Sequence, residues 1–133
     1  MDAHASIRAF LDGRTFAVAG ASRDRSKYGN KVLRCYQQHG LTAYPLNPHE
    51  TEIEGVACFR DIASLPEPVH GLSIITPPPV TERLVEEAAV AGIRHVWMQP
   101  GAESARAVQR ARALGIDVIA NGPCLLVSLG YRE

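Results

Sequence analysis

The sequence predicts one α/β domain built on a doubly wound, mainly parallel sheet of five to six strands. Short apolar runs typical of buried strands alternate with helix-like segments of about ten residues, which is the order that βαβ units produce. The strand-like runs carry almost no charge, as expected where helices cover both faces of a sheet. Glycine or a proline-containing turn follows nearly every run, so each element has a defined end.

The elements follow in a regular order. Asp2 is placed to cap a short helix over residues 2–12, which Gly13 ends. The predicted strands cover residues 15–19, 41–46, 69–75, 93–98 and 116–120. Apolar residues at helical spacing predict helices over 29–38, from the prolines at 77–79 through Ala89, and over 103–114. The stretch 53–59 is expected to be a short extended piece, and Asp61 is expected to cap a helical turn ending at Leu65.

The composition indicates an ordinary globular protein and argues against several classes. The 133 residues suffice to bury a core without disulfides or metals, so we expect a single domain over 1–133 with its core in 15–126. Fourteen basic side chains balance fourteen acidic ones, which argues against a nucleic-acid-binding or membrane-surface protein. No apolar run reaches the ~20 residues of a membrane span, and the three cysteines lack zinc spacing. A cytoplasmic chain with reduced thiols is expected.

The neutral total hides a basic segment near the start. Residues 1–34 hold seven basic and three acidic side chains, a net charge of +4, and five of the basic groups lie between Arg23 and Arg34. Taken alone, this segment is typical of a solvated loop and helix face. Its place directly after the first strand gives it a second interpretation, because ligands of doubly wound sheets bind beyond the carboxyl ends of the strands.

The segments that follow the predicted strands share one chemistry: they are small, turn-forming and rich in amide or hydroxyl groups, and they contain neither carboxylate nor histidine. They are Gly20-Ala21-Ser22, Asn47-Pro48, Thr76-Pro77-Pro78, Gln99-Pro100-Gly101 and Asn121-Gly122-Pro123-Cys124. This edge of the sheet is therefore suited to holding a ligand by shape and hydrogen bonds and is poor in acid–base groups.

The first of these turns is the predicted phosphate site. Gly20 ends the strand where the chain bends toward a helix N-terminus, whose free N–H groups and dipole favour anions. Ser22 adds a hydroxyl, and Arg23, Arg25 and Lys27 lie in the same loop. The alternative is a plain strand–helix turn with exposed charges.

The pattern disfavours a plain NAD site. The NAD fingerprint has three spaced glycines and an acidic residue at the end of the second strand. Here the next glycine after Gly20 is Gly29, and the second strand ends in Leu46-Asn47-Pro48. A ligand richer in phosphate suits the basic loop better.

Four segments resemble a known family. They are Gly20-Ala21-Ser22, Tyr28-Gly29-Asn30-Lys31-Val32, Tyr44-Pro45-Leu46-Asn47-Pro48 and Val96-Trp97-Met98-Gln99-Pro100-Gly101. Together they look like the small stand-alone CoA-binding proteins, whose Rossmann-type fold is similar to the N-terminal domain of the succinyl-CoA synthetase α subunit. The resemblance covers residues 15 to about 126.

The resemblance implies coenzyme A as the ligand and a role for each turn. Gly20, Ala21, Ser22 and the basic loop with Arg23, Arg25, Lys27 and Tyr28 would meet the ADP phosphates. Asn47 and Pro48 would lie by the adenosine, and Thr76, Pro77 and Pro78 would wall the crevice. Gln99, Gly101 and Asn121 would border the pantetheine arm. For Asn47 and for the turn at Gln99, an ordinary turn-forming role stays open.

No catalytic constellation is visible in the sequence, since the five histidines lack metal spacing and no serine lies in a nucleophile elbow. Cys124 follows the last strand, where its thiol would meet the CoA sulfur and form a mixed disulfide under oxidation; burial as a small apolar side chain is the alternative.

We therefore expect a non-catalytic protein that binds CoA or an acyl-CoA as carrier, sensor or partner subunit, with a homodimer or an unknown protein as partner. The alternatives are an NAD(P)-dependent oxidoreductase, an acyl-CoA-handling enzyme subunit, and an interaction domain with a vestigial crevice.

Overall fold

A computed structural model describes residues 2–133, in which helices and strands alternate as the sequence predicts. The helices are α1 (Ala3–Leu11), α2 (Tyr28–Gln38), α3 (Pro78–Val90) and α4 (Ala105–Ala113). The strands are β1 (Thr15–Ala19), β2 (Thr42–Leu46), β3 (Glu52–Ile53), β4 (Val56–Ala57), β5 (Gly71–Ile74), β6 (His95–Met98) and β7 (Asp117–Ile119). A 3-10 turn covers Ile62–Ser64 and a π-helical turn covers Leu126–Gly130. No helix of residues 2–133 is long and apolar enough to cross a membrane.

The main sheet has five parallel strands in the order β2-β1-β5-β6-β7. The chain runs outward from β1 to β2 and then crosses back to β5, so the direction of winding reverses between β1 and β5. This is the topological switch point, where the carboxyl ends of two neighbouring strands leave room for a ligand. The predicted fold class is confirmed, with five strands in the sheet.

One predicted element differs in kind from the structure. The stretch 53–59 was expected to be a single extended piece, whereas β3 and β4 form an antiparallel hairpin of two residues a side. Its turn contains Glu54 and Gly55, both with positive φ. A hairpin this short has no hydrophobic alternation that would mark it in the sequence. After the hairpin, Phe59 forms an isolated parallel bridge with Leu46 of β2.

Each face of the sheet is covered by helices. Phe10, Phe16, Tyr36 and Trp97 are fully buried on the face covered by α1 and α2, with the Phe16 and Tyr36 rings stacked 4.7 Å apart. The opposite face packs against α3 and α4 through side chains such as Val85. Because both faces are buried, the strands contain apolar residues on both sides.

The helix starts follow local capping chemistry. Asp2 accepts a hydrogen bond from the Ala5 N–H at 2.8 Å, as predicted. The helix α3 begins at Pro78. Proline is favourable at the first helical position because an N–H group there has no partner within the helix. The helix α4 is capped by Ser104, whose hydroxyl accepts from the Ala107 N–H, so it starts later than the predicted residue 103.

A histidine pair lies at the amino ends of the strands, on the edge opposite to the expected ligand. The His70 and His95 rings stack 4.4 Å apart, and His95 Nδ1 lies 3.8 Å from Asp117 Oδ2. The ring of His70 donates to the Ala9 carbonyl at 2.9 Å, and Ser6 donates to Asp117 at 2.6 Å. These polar contacts attach α1 to the sheet.

This pair predicts a loss of stability in mild acid. Burial lowers the pKa of His95 below its ordinary value of 6.5, the His70 charge lowers it further, and Asp117 opposes both. The unfolded chain therefore binds a proton more readily, and the stability present above about pH 6.5 is lost as the pH falls through the folded pKa. We expect the free energy of unfolding in urea to decrease from pH 7.5 to pH 5.5 and His95→Gln to flatten this decrease. An equal decrease in both proteins would contradict the assignment to His95.

Candidate functional site

The corner after β1 is shaped by two glycines. Gly20 has φ +90°, and a Cβ there would lie 2.9 Å from the Ile75 backbone on the neighbouring strand. A Cβ at Gly29 would lie 2.0 Å from the Gly20 carbonyl oxygen, so only glycine permits the first turn of α2 to approach β1 this closely. In dinucleotide-binding folds the third glycine of the fingerprint has this packing role. Gly29 takes it here nine positions after Gly20, a spacing that the sequence analysis did not credit.

Two side chains of α2 hold the backbone of the basic loop. Asn30 donates to the Ser22 carbonyl at 2.8 Å, and Arg34 donates to the Arg25 carbonyl at 2.8 Å and to Asn30 Oδ1 at 2.6 Å. Arg34 is only 9 % exposed, and its guanidinium lies over the ring of Tyr131. Arg34 was counted among the cations of the basic segment, but its side chain is buried and two of its donors hold the loop in place.

The exposed arginines of the loop face acidic side chains. Arg23 pairs with Glu50 at 3.5 Å and Arg25 with Glu54 at 3.4 Å, along an open cavity of about 670 Å³. The two arginine side chains are 73 % and 64 % exposed, and exposed pairs of this kind contribute about 0–1 kcal/mol. They can therefore exchange carboxylates for phosphates at small cost. Lys27 is also exposed, and α2, which follows it, has no side-chain cap on its N-terminal N–H groups.

A cavity of about 200 Å³ lies at the switch point itself. Three residues predicted for the ligand, Gly20, Pro48 and Thr76, line it together with the ends of β1 and β2. Its wall also contains Arg60 and Arg83, two exposed cations that the sequence analysis missed. Neither follows a strand of the main sheet directly, so no local pattern marks them.

The predicted adenosine residues lie beside the corner. Asn47 donates through its side-chain amide to the Ala21 carbonyl at 2.9 Å and accepts from the His49 N–H at 2.8 Å. This side chain therefore links the ends of β1 and β2, and its turn-forming role is real. Pro48 is exposed next to it.

The proline segment after β5 is fixed by threonines. The hydroxyls of Thr76 and Thr81 lie 2.9 Å apart, and the Thr81 hydroxyl shares its one proton between the carbonyl groups of Thr76 and Pro77, each at 3.3 Å. Pro77 precedes α3 and is exposed, while Pro78 is its first residue and is half-buried. This segment forms a stiff wall beside Gly20.

A buried polar cluster lies at the end of β6. Gln99 is 1 % exposed, and its Oε1 accepts from the Tyr28 hydroxyl at 3.0 Å and from the Leu125 N–H at 2.9 Å. The Tyr28 hydroxyl also contacts Cys124 Sγ. Burial, followed by the Cys124 contact, raises the pKa of Tyr28, so this hydroxyl stays protonated at neutral pH. Gln99 Nε2 has no partner within residues 2–133.

Gly101 and Asn121, the last two residues predicted for the ligand, both donate their backbone N–H groups to one carboxylate. Glu103 accepts from the Gly101 N–H at 2.9 Å and from the Asn121 N–H at 3.3 Å, so it bridges the turns after β6 and β7. The turns themselves contain no carboxylate, and Glu103 reaches this edge from the segment before α4. Pro123, further along, accepts from the buried Trp97 indole at 3.0 Å.

The structure thus brings the predicted residues to one edge of the sheet in two groups, one around the switch point and one at the ends of β6 and β7. A larger groove of about 750 Å³ lies elsewhere, between the 3-10 turn and the second half of α3, and is lined by apolar side chains such as Leu65 and Val90. Within residues 2–133, no group of three or more histidine, cysteine or acidic side chains is arranged to hold a metal ion.

Comparison with known proteins agrees with this fold. The α subunit of ADP-forming acetate–CoA ligase II from Pyrococcus furiosus is 30% identical over 88 residues, which cover 65% of this chain and 19% of that subunit. A conserved hypothetical protein from Pyrococcus furiosus has a structure with a TM-score of 0.81 and 36% identity, covering 86% of this chain and 97% of that one.

The apo form of dinucleotide-forming acetyl-coenzyme A synthetase 1 from Ca. Korarchaeum cryptofilum has a TM-score of 0.69 and 27% identity, covering 79% of this chain and 25% of that one. The profile of the CoA-binding domain matches residues 14–130, nearly the whole chain. The resemblance stated from the four sequence segments is confirmed, and the chain belongs to the CoA-binding domain family.

Proposed function

We propose that this protein binds coenzyme A along the carboxyl ends of its parallel strands. By itself, the protein does not catalyse a reaction of the bound CoA. The observation that carries the proposal is the cavity at the switch point, which Gly20, Pro48 and Thr76 line together with residues of α3. The first turn of α2, which has no side-chain cap, packs against the backbone of Gly20. Small residues leave space there, and free N–H groups with nearby cations favour the phosphates of a nucleotide.

The nucleotide end lies at this corner. Gly20, Ala21 and Ser22 present the backbone to the pyrophosphate, and the adenosine lies against Asn47 and Pro48. Arg23, Arg25 and Lys27 approach from the loop above, and Arg60 and Arg83 approach from the cavity wall. Arg23 and Arg25 line one cavity beside the corner, whereas Arg60 and Arg83 line a second one. We therefore place the phosphates between these two pairs of arginines.

The pantetheine arm runs from the corner across β5 to β6. Two strand spacings, about 10 Å, separate β1 from β6, a span that an extended pantetheine chain covers. Thr76, Pro77 and Pro78 form one wall, and Gly101 and Asn121 border the far end. Tyr28 joins the two ends because it begins α2 at the corner and its hydroxyl donates to Gln99 Oε1.

The functional groups at this edge support a binding role. Amides, hydroxyls and arginines line most of the proposed CoA path. The carboxylates of Glu50, Glu54 and Glu103 are used in ion pairs or in bonds to backbone N–H groups, and two more, those of Asp61 and Glu87, line the switch-point cavity together with Arg60 and Arg83. We infer that the chain acts as a carrier, a sensor or the CoA-binding partner of another protein. The similarity to acetate–CoA ligase subunits suggests an enzyme as that partner, one that supplies its own catalytic groups.

Calorimetric titration tests the proposal. We expect CoA to bind more tightly than dephospho-CoA, ADP and NAD, because only CoA offers both the 3′-phosphate and the pantetheine arm. Comparing CoA with ADP measures the contribution of the arm, and comparing CoA with dephospho-CoA measures that of the 3′-phosphate. Preference for NAD would favour the oxidoreductase alternative, and no binding by any nucleotide would leave an interaction domain.

A further inference from the structure

The groove of about 750 Å³ beside the second half of α3, called the α3 groove below, is an uncovered apolar surface. Its lining includes the buried side chains of Ile62, Val69 and Ile93. Val90 lines it as well and is 91 % exposed. Within residues 2–133, Val90 and Val127 are the two exposed large apolar side chains, and Val127 lies outside the groove. An exposed apolar patch with a polar rim is typical of an interaction site.

The polar part of the α3 groove is acidic. Of the residues described, 2–133, its lining includes no lysine, arginine or histidine but four carboxylates, those of Asp61, Glu67, Glu86 and Glu87. From α4, Arg110 pairs with Glu86 at 2.6 Å. Asp61 and Glu67 accept hydrogen bonds from uncharged donors, which leave their charge in place. Three of the four carboxylates therefore take part in no ion pair within residues 2–133.

The walls of the α3 groove favour a helix over an extended strand as its occupant. In one wall, Pro66 and Pro68 have no N–H group to offer to a strand. In the other wall, the N–H groups of Ala91 and Ile93 already donate to carbonyl groups of α3. A strand that adds to an edge needs a row of free backbone groups, whereas a helix docks in a groove through its side chains alone.

We propose that the α3 groove is the docking site for a basic amphipathic helix of a partner protein. The apolar side of that helix covers Val90, and its lysines or arginines meet the carboxylates of Glu67 and Glu87. Charge complementarity of this kind speeds the encounter and excludes acidic partners. The groove shares Asp61 and Glu87 with the switch-point cavity, so its occupant lies beside the proposed CoA phosphates. The inference rests on the proposed function only in this role of the partner.

A second copy of this chain suits the α3 groove less well. Its most basic helix is α4, which contains three arginines. The apolar side chains of that helix, among them Ala107, Val108 and Ala111, are buried in the core. The exposed side of α4 therefore presents arginines without an apolar stripe.

Fluorescence anisotropy with synthetic helices tests the docking site. The probes are labelled peptides of about 15 residues, long enough to form a helix, with leucine, isoleucine or phenylalanine at positions i, i+3, i+4 and i+7 and lysine beside them. One matched set has glutamate in place of lysine, and another has serine in place of the apolar residues. We expect saturable binding of lysine helices with a Kd below about 100 μM at ~0.1 M salt. Both matched sets should bind at least about tenfold more weakly, because each lacks one half of the complementarity.

Two pairs of variants locate the binding. Val90→Ser should weaken docking about tenfold, the factor expected when a valine side chain no longer leaves water. Val127→Ser, at a position that is 83 % exposed outside the groove, should leave docking unchanged. Glu67→Lys should weaken docking about fivefold and make its salt dependence shallower. Asp12→Lys changes the same charge at the exposed end of α1 and is the matched control.

The outcomes separate the docking site from the CoA site. Equal binding of lysine and glutamate helices, or equal affinity of the two serine variants, overturns the docking site. A wild-type dimer in sedimentation that Val90→Ser dissociates assigns the groove to a second copy and also overturns it. None of these measurements contains CoA. If lysine helices dock while calorimetry shows no CoA binding, the proposed function fails and the docking site stands.

Discussion

Replacing Gly29 with alanine is expected to lower the free energy of unfolding by about 2–3 kcal/mol. The added Cβ would lie 2.0 Å from the Gly20 carbonyl oxygen and 3.2 Å from the Ala21 Cα, so α2 or the corner must move. The clash involves backbone on both sides, which no rotamer change relieves. Because the corner is the proposed phosphate site, CoA binding should weaken in the same variant. Urea denaturation and calorimetry measure the two effects.

Gly40→Ala is the matched control. Gly40 follows α2 with φ +68°, and a Cβ there would meet nothing within 4 Å. Alanine at this position bears a conformational penalty of about 1 kcal/mol without a clash and should leave CoA binding unchanged. Equal stability losses in the two variants, or unaltered CoA binding by the Gly29 variant, would show that the close approach of α2 does not shape the corner.

Removing the cations of the corner cavity is expected to have the largest effect on binding. Arg60→Ala and Arg83→Ala should each weaken CoA binding about tenfold, because a hydrogen bond to a charged group contributes about 1.5–3 kcal/mol. The salt dependence of binding should become shallower in both variants, since screening acts on the lost charge. Arg112→Ala removes an exposed charge from the last turn of α4, and it should leave CoA affinity unchanged.

Replacing Arg23, Arg25 and Lys27 together with alanine is also expected to weaken CoA binding. The loss of binding free energy for each charge removed should be smaller than in the Arg60 and Arg83 variants. Arg23 and Arg25 must give up Glu50 and Glu54 before they meet a phosphate, so part of their interaction with CoA is offset. A larger loss per charge in this variant than in the Arg60 and Arg83 variants would place the phosphates in the loop and away from the cavity. The dephospho-CoA titration then identifies which set binds the 3′-phosphate.

Local signals in the sequence determined most of the secondary structure. The boundaries of β1 are those predicted, the Asp2 cap lies where its pattern places it, and Asp61 caps its turn with a reciprocal bond to Ser64. Such signals are readable because capping, proline placement and apolar runs act within a few residues. The candidate ligand residues were found by the same logic, since each follows a strand and all strands end at one edge.

The tertiary structure alone decided which side chains meet across the chain. Glu54 reaches Asn30 and Arg25 because the β3–β4 hairpin folds back over the loop, and Arg34 is buried by Tyr131 from the C-terminal segment. Arg60 and Arg83 become cavity walls only when α3 packs beside the ends of β1 and β2. Strand order and helix approach depend on the packing of whole faces, which individual residues do not encode locally. The sequence by itself therefore determined the elements and the edge at which we propose that CoA binds, whereas long-range packing decided which charges face that edge.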